Sequence, residues 1–178
     1  GVQTCALPIC LPRKTTRHIT TRKESKMQKI ITFLTFNHQA EEAVQFYTTV
    51  FKNAKTGKVT RLPDGTFLTA DFQIEGQTFY ALNGGPHFTF SQGFSLFVKC
   101  DSQQEVDELW DRLSEGGEQL SCGWLRDKFG VSWQIIPTAL GEMLGDPDPK
   151  KSGRAMQAML QMSKLDIAAL RKAYNGEA

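Results

Sequence analysis

Apolar and polar positions along the chain follow one pattern twice. An apolar run at residues 30–36 is followed by apolar residues at helical spacing and then by runs of strand-forming residues. The run at 94–100 opens a second series of the same kind. The pattern therefore predicts a β-α-β-β-β module that occurs twice, over about residues 30–83 and 94–137.

The two predicted helices match at a constant offset. The apolar face of the first contains Ala40, Ala43, Val44, Tyr47, Val50 and Phe51. The second begins with Ser102 and Glu105, a capping-box pair that stabilises a helix N-terminus. A shift of 63 residues places Glu42 on Glu105 and Tyr47 on Trp110. This correspondence indicates an internal duplication.

Turn-forming residues divide the rest of each module into strands. Pro63, Asp64 and Gly65 predict a turn, and Glu75 with Gly76 predicts a two-residue hairpin. The strands predicted around these turns and in the second module lie at 66–74, 77–83, 119–125 and 131–136.

Both ends of the chain differ from the modules. Past Pro137 the apolar residues return to helical spacing, which predicts a C-terminal helical extension over 138–178. Residues 1–26 show no hydrophobic period, and their opening GVQTCALPI resembles translated adapter sequence. We expect a disordered or artefactual extension before Met27, with a genuine tail or targeting segment as the alternative.

Composition and charge exclude several classes of function. The chain has 178 residues, of which 40% are hydrophobic, which suits one domain or two fused repeats. The mean hydropathy is −0.35, and no apolar run is long enough to span a membrane. Residues 1–26 carry a formal charge of +5 and the remainder −3, so we expect no nucleic-acid partner. The four cysteines form no CxxC pair, which favours free thiols and a cytoplasmic protein.

Four long motifs in this duplicated arrangement carry a family resemblance. They are AEEAVQFYTTVF, ALNGGPHFTF, CGWLRDKFGVSWQIIP and DPDPKKSGRAMQAMLQMSKLDI. With them the chain resembles the vicinal oxygen chelate superfamily of glyoxalase and bleomycin-resistance proteins. Within it the chain is similar to the PhnB-like branch, often labelled 3-demethylubiquinone-9 3-methyltransferase-like. The resemblance implies an α+β fold of paired, curved modules, followed here by C-terminal helices.

The resemblance also implies where a ligand would bind. In this superfamily a divalent metal is held by four side chains, usually His, Glu or Gln, from the first and last strands of each module. Counting from the helices and aligning the last strands places these positions at Thr32, Tyr80, Ser95 and Gln134. Neutral oxygens are poor ligands for a divalent ion, so we expect no metal cofactor. The four residues instead predict a neutral, hydrogen-bonding cup for a small polar molecule.

Three further residues are candidates for ligand binding at this cup. Asn83 ends a predicted strand, His87 follows it in a glycine-containing turn, and Trp124 lies on a later strand. His87 and Tyr80 are the catalytic candidates, because an imidazole titrates near neutral pH and a phenol can transfer a proton. The alternatives are a loop histidine that holds a carbonyl group and a core indole.

These observations leave two main functions open. One is a metal-independent or degenerate enzyme of the superfamily, and the other is a non-catalytic module that binds or sequesters a small molecule. Methyl transfer is disfavoured because residues 37–39, after the first strand, contain no glycine-rich loop. We expect a homodimer, because the sheet edges and an apolar helix around Met156 and Met159 leave apolar surface uncovered.

Overall fold

The structure, a computed structural model, describes residues 28–177. Its first module follows the predicted order of elements. It contains β1 (Thr32–Phe36), α1 (Ala40–Val50), β2 (Ala54–Arg61), β3 (Phe67–Ile74) and β4 (Gln77–Asn83). The expectation for residues 1–26 concerns a segment outside the described residues.

The second module has the same order, and its last three strands are shorter than those of the first. It contains β5 (Leu96–Cys100), α2 (Gln103–Ser114), β6 (Glu118–Gln119), β7 (Trp124–Arg126) and β8 (Ser132–Pro137). The single strand predicted at 119–125 is divided into β6 and β7. Cys122 and Gly123 between them have φ angles of 61° and 80°. Extended strands do not accommodate positive φ, so the strand is interrupted there.

Three helices complete the chain. They are α3 (Thr138–Leu144), α4 (Pro149–Leu160) and α5 (Ile167–Asn175). They confirm the predicted helical extension, and Pro149 lies in the first turn of α4, where its missing N–H costs no helical hydrogen bond. None of the helices within residues 28–177 has the length and apolar character needed to cross a bilayer.

The two modules form two four-stranded sheets of the same topology. The first sheet has the order β1-β4-β3-β2 and the second sheet the order β5-β8-β7-β6. In each sheet the first strand of the module runs parallel to the last, and the other neighbours are antiparallel. This repeated arrangement confirms the predicted α+β fold of duplicated β-α-β-β-β modules.

Each sheet has one face covered by helices and one open face. In β1, Leu34 and Phe36 are buried, whereas Phe33, which precedes Leu34, is 55% exposed. In β8, Trp133 is buried and its neighbour Gln134 is half-buried. Because successive side chains of a strand point to opposite faces, these differences distinguish the open face from the helix-covered face of each sheet.

One core joins the two helix-covered faces. The ring of Tyr47 in α1 lies 6.2 Å from the ring of Phe72 in the first sheet and 5.4 Å from that of Trp133 in the second. Both modules contribute to the same cluster of buried apolar residues. The open face of each sheet is therefore the side turned away from this shared core.

A buried carboxylate lies in this core. The Tyr47 hydroxyl and Nε1 of Trp133 donate to Oδ2 of Asp127 at 2.7 and 2.8 Å. The backbone N–H groups of Phe129 and Val131 donate to Oδ1 at 2.9 and 3.0 Å. Burial raises the pKa of Asp127, and the four hydrogen bonds act in the opposite direction. The turn before β8 is therefore attached to α1 of the other module.

The C-terminal helices have a core of their own. It consists of Leu140, Met143, Ala155, Leu165 and Leu170. The N–H groups of Cys122 and Gly123 donate to the carbonyls of Met162 and Ser163 at 2.7 and 2.8 Å. Ile136, which shares the open face of the second sheet with Gln134, packs against this core. The extension therefore borders the open face of the second sheet.

Candidate functional site

The open face of the second sheet brings three predicted site residues together. Nε2 of Gln134 donates to Oγ of Ser95 at 2.8 Å. Trp124 lies opposite Gln134 in the register of β7 and β8, so the two side chains share a face. Phe97 of β5 pairs with Gln134 from the other side and is 54% exposed. An indole, a phenyl ring and two hydrogen-bonding side chains therefore form one open surface.

The open face of the first sheet carries Tyr80 beside Phe33. The two residues are register partners, and their ring centroids lie 5.9 Å apart with planes inclined by 11°. Asp71 of β3 pairs with Tyr80 from the other side. Oδ1 of Asp71 accepts the backbone N–H of Lys58 at 2.9 Å. This face therefore offers an aromatic pair with a phenol hydroxyl at its surface.

Thr32 does not lie where the sequence predicts it. It pairs with Phe79 in β4, so its side chain points to the face opposite that of Tyr80. Thr32 and Ser95 instead line a common cavity of about 330 Å³ at the seam between the modules. Thr32 therefore does not share a face with Tyr80, whereas Ser95 and Gln134 are in contact on the second sheet. Tyr80 and Gln134 lie on the open faces of different sheets.

The length of the connection between strand and helix explains the error. Three residues, 37–39, join β1 to α1, whereas two, 101–102, join β5 to α2. The offset between modules is therefore one residue larger in the first strands than in the helices. The register makes Phe33 and Phe97 the equivalent pair, each opposite a site residue of the last strand. Comparing the two connection lengths is the signal that would have found these phenylalanines.

Asn83 and His87 have surroundings of other kinds. Oδ1 of Asn83 accepts the N–H of Ala40 at 2.9 Å, and Nδ2 donates to the carbonyl of Phe67 at 3.2 Å. The amide thus satisfies the first free N–H of α1, and its role in ligand binding stays a prediction. His87 lies exposed in the loop after β4, and its role stays a prediction.

The described titratable groups provide no reactive cluster. Burial raises the pKa of Cys100 to about 12, and the charges of Glu105 and Asp101 add to this effect. A thiol with this pKa is protonated at neutral pH and is not a nucleophile. Within residues 28–177 no three His, Cys, Asp or Glu side chains are grouped so that they could hold a metal ion. Tyr80, Ser95, Trp124 and Gln134, the predicted residues of the open faces, are themselves uncharged side chains.

Two solved structures have distant similarity to the chain. One is a glyoxylase/bleomycin resistance protein/dioxygenase domain from Frankia sp. EAN1pec, with 19% identity, a TM-score of 0.40 and coverage of 58% of this chain and 91% of that one. The other is the fosfomycin resistance protein FosX from Listeria monocytogenes, complexed with manganese(II) and sulfate. It has 17% identity and a TM-score of 0.46, over 60% of this chain and 88% of that one.

Two further comparisons identify the family. A Bacillus cereus structure described as a putative 3-demethylubiquinone-9 3-methyltransferase, PhnB protein, is 35% identical with a TM-score of 0.60, over 62% of this chain and 100% of that one. A search of curated proteins returned no match. The family model for 3-demethylubiquinone-9 3-methyltransferase matches residues 28–136, more than half of the chain. The chain therefore belongs to this family, in the PhnB-like branch of the vicinal oxygen chelate superfamily.

Proposed function

We propose that this protein binds a small organic molecule in an aromatic, hydrogen-bonding cup without a metal ion. The observation that carries the proposal is the hydrogen bond of 2.8 Å between Gln134 and Ser95, which lies on an open face beside Trp124 and Phe97. Aromatic rings supply apolar contact area, and an amide with a hydroxyl can orient a polar group of the ligand. This combination is typical of a small-molecule site.

The site residues do not fit the divalent metal of the superfamily. Phe33 and Phe97 occupy the first-strand positions and have no donor atom. A phenol and an amide remain at Tyr80 and Gln134, and they do not compensate for the water that a divalent ion loses on binding. The proposed function therefore contains no metal-dependent step.

The residues also do not fit S-adenosylmethionine, the cofactor that the family description suggests. A nucleotide-binding unit needs a glycine-rich loop after its first strand and a free helix N-terminus. Here residues 37–39 contain no glycine, and the N–H of Ala40 is bonded to Asn83. β1 is moreover an edge strand of a mixed sheet. We therefore do not propose methyl transfer as the activity of this protein.

In this proposal a second copy of the chain completes the cup. Phe33 and Phe97 are 55% and 54% exposed, and Tyr80 is 36% exposed. Large apolar side chains on an open sheet face are typical of a surface that another molecule covers. A two-fold axis can place the first sheet of each copy over the second sheet of the other, so that both open faces are used. Tyr80 would then face Gln134 of the partner subunit.

Binding without catalysis fits this site better than an enzymatic role for Tyr80. A general base must titrate and must reach the substrate by a hydrogen bond. Ser95 and Gln134 do not titrate near neutral pH. The register partner of Tyr80, Asp71, already accepts the N–H of Lys58. The non-catalytic module is therefore our proposal, and a metal-independent enzyme is the alternative that measured turnover would favour.

Mass spectrometry of molecules that co-purify with the full-length chain tests the proposal. We expect wild type to carry an organic ligand and Gln134→Leu to carry roughly tenfold less, because a buried hydrogen bond to the ligand is lost. Gln104→Leu is the matched control, since the Gln104 side chain donates to Glu108 on the exposed surface of α2. Equal ligand content in Gln134→Leu and wild type, or none in either, would contradict the proposal.

A further inference from the structure

The C-terminal extension adds a cleft to the open face of the second sheet. The cleft has a volume of about 410 Å³ and lies between α3 and the strands β5 and β8. Its apolar lining consists of Phe97, Ile136, Pro137 and Gly141. Phe97 is also the register partner of Gln134, so the cleft continues from the proposed cup. Its volume lies in the range of small-molecule sites.

The charges of the cleft balance each other. Lys99 and Glu142 are the charged residues of its lining, one of each sign. The lining therefore carries no net charge and has no overall preference for an anion over a cation. With its apolar walls, the cleft matches an uncharged apolar group.

Gly141 lines the cleft on the helical side. A methyl group added at Gly141 would meet no atom within 4 Å. The φ angle of Gly141 is not in the left-handed region, so the backbone of α3 does not require glycine there. The missing side chain leaves space for a ligand beside Phe97.

Hydrogen bonds and ion pairs attach the extension to the second module. Gln103 of α2 donates through Nε2 to the carbonyl of Leu165 at 3.1 Å and accepts the N–H of Ile167 at 2.8 Å. On the opposite side, the N–H of Cys122 donates to the carbonyl of Met162. These bonds give α3 to α5 a defined position beside the sheet, so the extension can act as a fixed wall.

We infer that the C-terminal extension forms one wall of the ligand site and that the ligand is an uncharged amphipathic molecule. Its apolar part lies in the cleft between Phe97 and Gly141, and its polar group reaches Gln134. The inference rests on the proposed function and names the chemistry of its ligand. The wall lies beyond residue 136, where the match to the family model ends.

A series of primary alcohols from 1-butanol to 1-octanol tests the inference by NMR titration of the full-length chain. Each added methylene is expected to raise the affinity about fourfold, the equivalent of about 0.8 kcal/mol of apolar transfer. Gly141→Leu fills the cleft and is expected to weaken 1-octanol binding roughly tenfold or more. Gly153→Leu on α4 is the matched control, because this helical glycine also has no atom within 4 Å of an added methyl group.

The outcomes separate this inference from the proposed function. Unchanged 1-octanol affinity in Gly141→Leu, equal weakening in Gly153→Leu, or no dependence on chain length would overturn the inference. A third variant, Gln134→Leu, tests the polar end of the site. If Gln134→Leu still binds the alcohol and Gly141→Leu does not, the result supports the C-terminal wall and contradicts a cup at Gln134. If Gln134→Leu does not bind the alcohol and Gly141→Leu does, the result supports the cup and contradicts the wall.

Discussion

At the scale of single residues, Asp127 links the two modules more directly than any group of the candidate site does. Its carboxylate accepts hydrogen bonds from Tyr47 of the first module and from Trp133 of the second. Each oxygen of this buried carboxylate accepts two hydrogen bonds. Removing an acceptor would leave a buried donor without a partner and lower the free energy of unfolding.

Asp127→Asn is expected to lower the free energy of unfolding by about 2–4 kcal/mol. The NH₂ group of the amide would face donors whose hydrogen bonds a carboxylate oxygen of Asp127 accepts in wild type. Urea unfolding at neutral pH measures the change. Asp111→Asn is the control, because Asp111 is an exposed partner of Lys164 at 3.4 Å and exposed pairs contribute about 0–1 kcal/mol. Equal stability of Asp127→Asn and wild type would contradict the expected role of Asp127.

Tyr47 makes stability depend on alkaline pH. Burial, and then the charge of Asp127, raises the pKa of Tyr47 well above 10.0. The unfolded chain loses this proton first, so the contribution is complete below about pH 10 and is lost as the pH rises further. We expect the unfolding free energy of wild type to fall by up to about 1.4 kcal/mol per pH unit more steeply than that of Tyr47→Phe. Parallel urea titrations between pH 9 and 11 measure this slope, and identical slopes would refute the prediction.

At the scale of elements, the sequence predicts those helices and turns that contacts between neighbouring residues stabilise. The capping box of α2 is an example, because Oγ of Ser102 accepts the N–H of Glu105 at 3.2 Å and Oε2 of Glu105 accepts the N–H of Asp101 at 2.8 Å. The start of α1 is different. Its cap is Asn83, which is 43 residues away from Ala40 along the chain, and no local pattern predicts such a contact.

The candidate site was predicted in part for the same reason. Ser95, Trp124 and Gln134 lie together because strand alternation and the alignment of β4 with β8 are regular. Phe33 was missed because one additional residue in a connection reverses the face of every side chain in the strand. The separation of the two open faces depends on how the modules pack, and no periodicity within one module encodes that packing.

The attachment of the C-terminal extension gives a prediction at this scale. Gln103→Ala removes both hydrogen bonds between α2 and the segment from Leu165 to Ile167. We expect amide exchange in α5 to become roughly tenfold faster while the strands of both sheets keep their protection. Hydrogen exchange monitored by mass spectrometry measures this effect. Gln104→Ala is the control, and uniform loss of protection throughout the chain would contradict a local attachment.

At the scale of the whole molecule, the open faces predict the oligomeric state. Phe33→Asp places a charge on the exposed aromatic pair of the first sheet and is expected to convert a dimer into a monomer at micromolar concentration, because burying an unpaired charge is unfavourable. Light scattering measures the mass. Met156→Asp is the matched control, since Met156 is 40% exposed on α4 and belongs to neither open face. Dissociation by Met156→Asp instead would place the interface on the apolar helix.

Native mass spectrometry of the full-length chain tests the central claim most directly, because it reports assembly, organic ligand and metal in one spectrum. We predict an ion of twice the 19.9 kDa chain mass, with an organic adduct that is released on activation and is lost in Gln134→Leu. One divalent metal ion per chain that survives dialysis and is lost in Gln134→Ala would contradict the account. A monomeric ion without any adduct would contradict it equally.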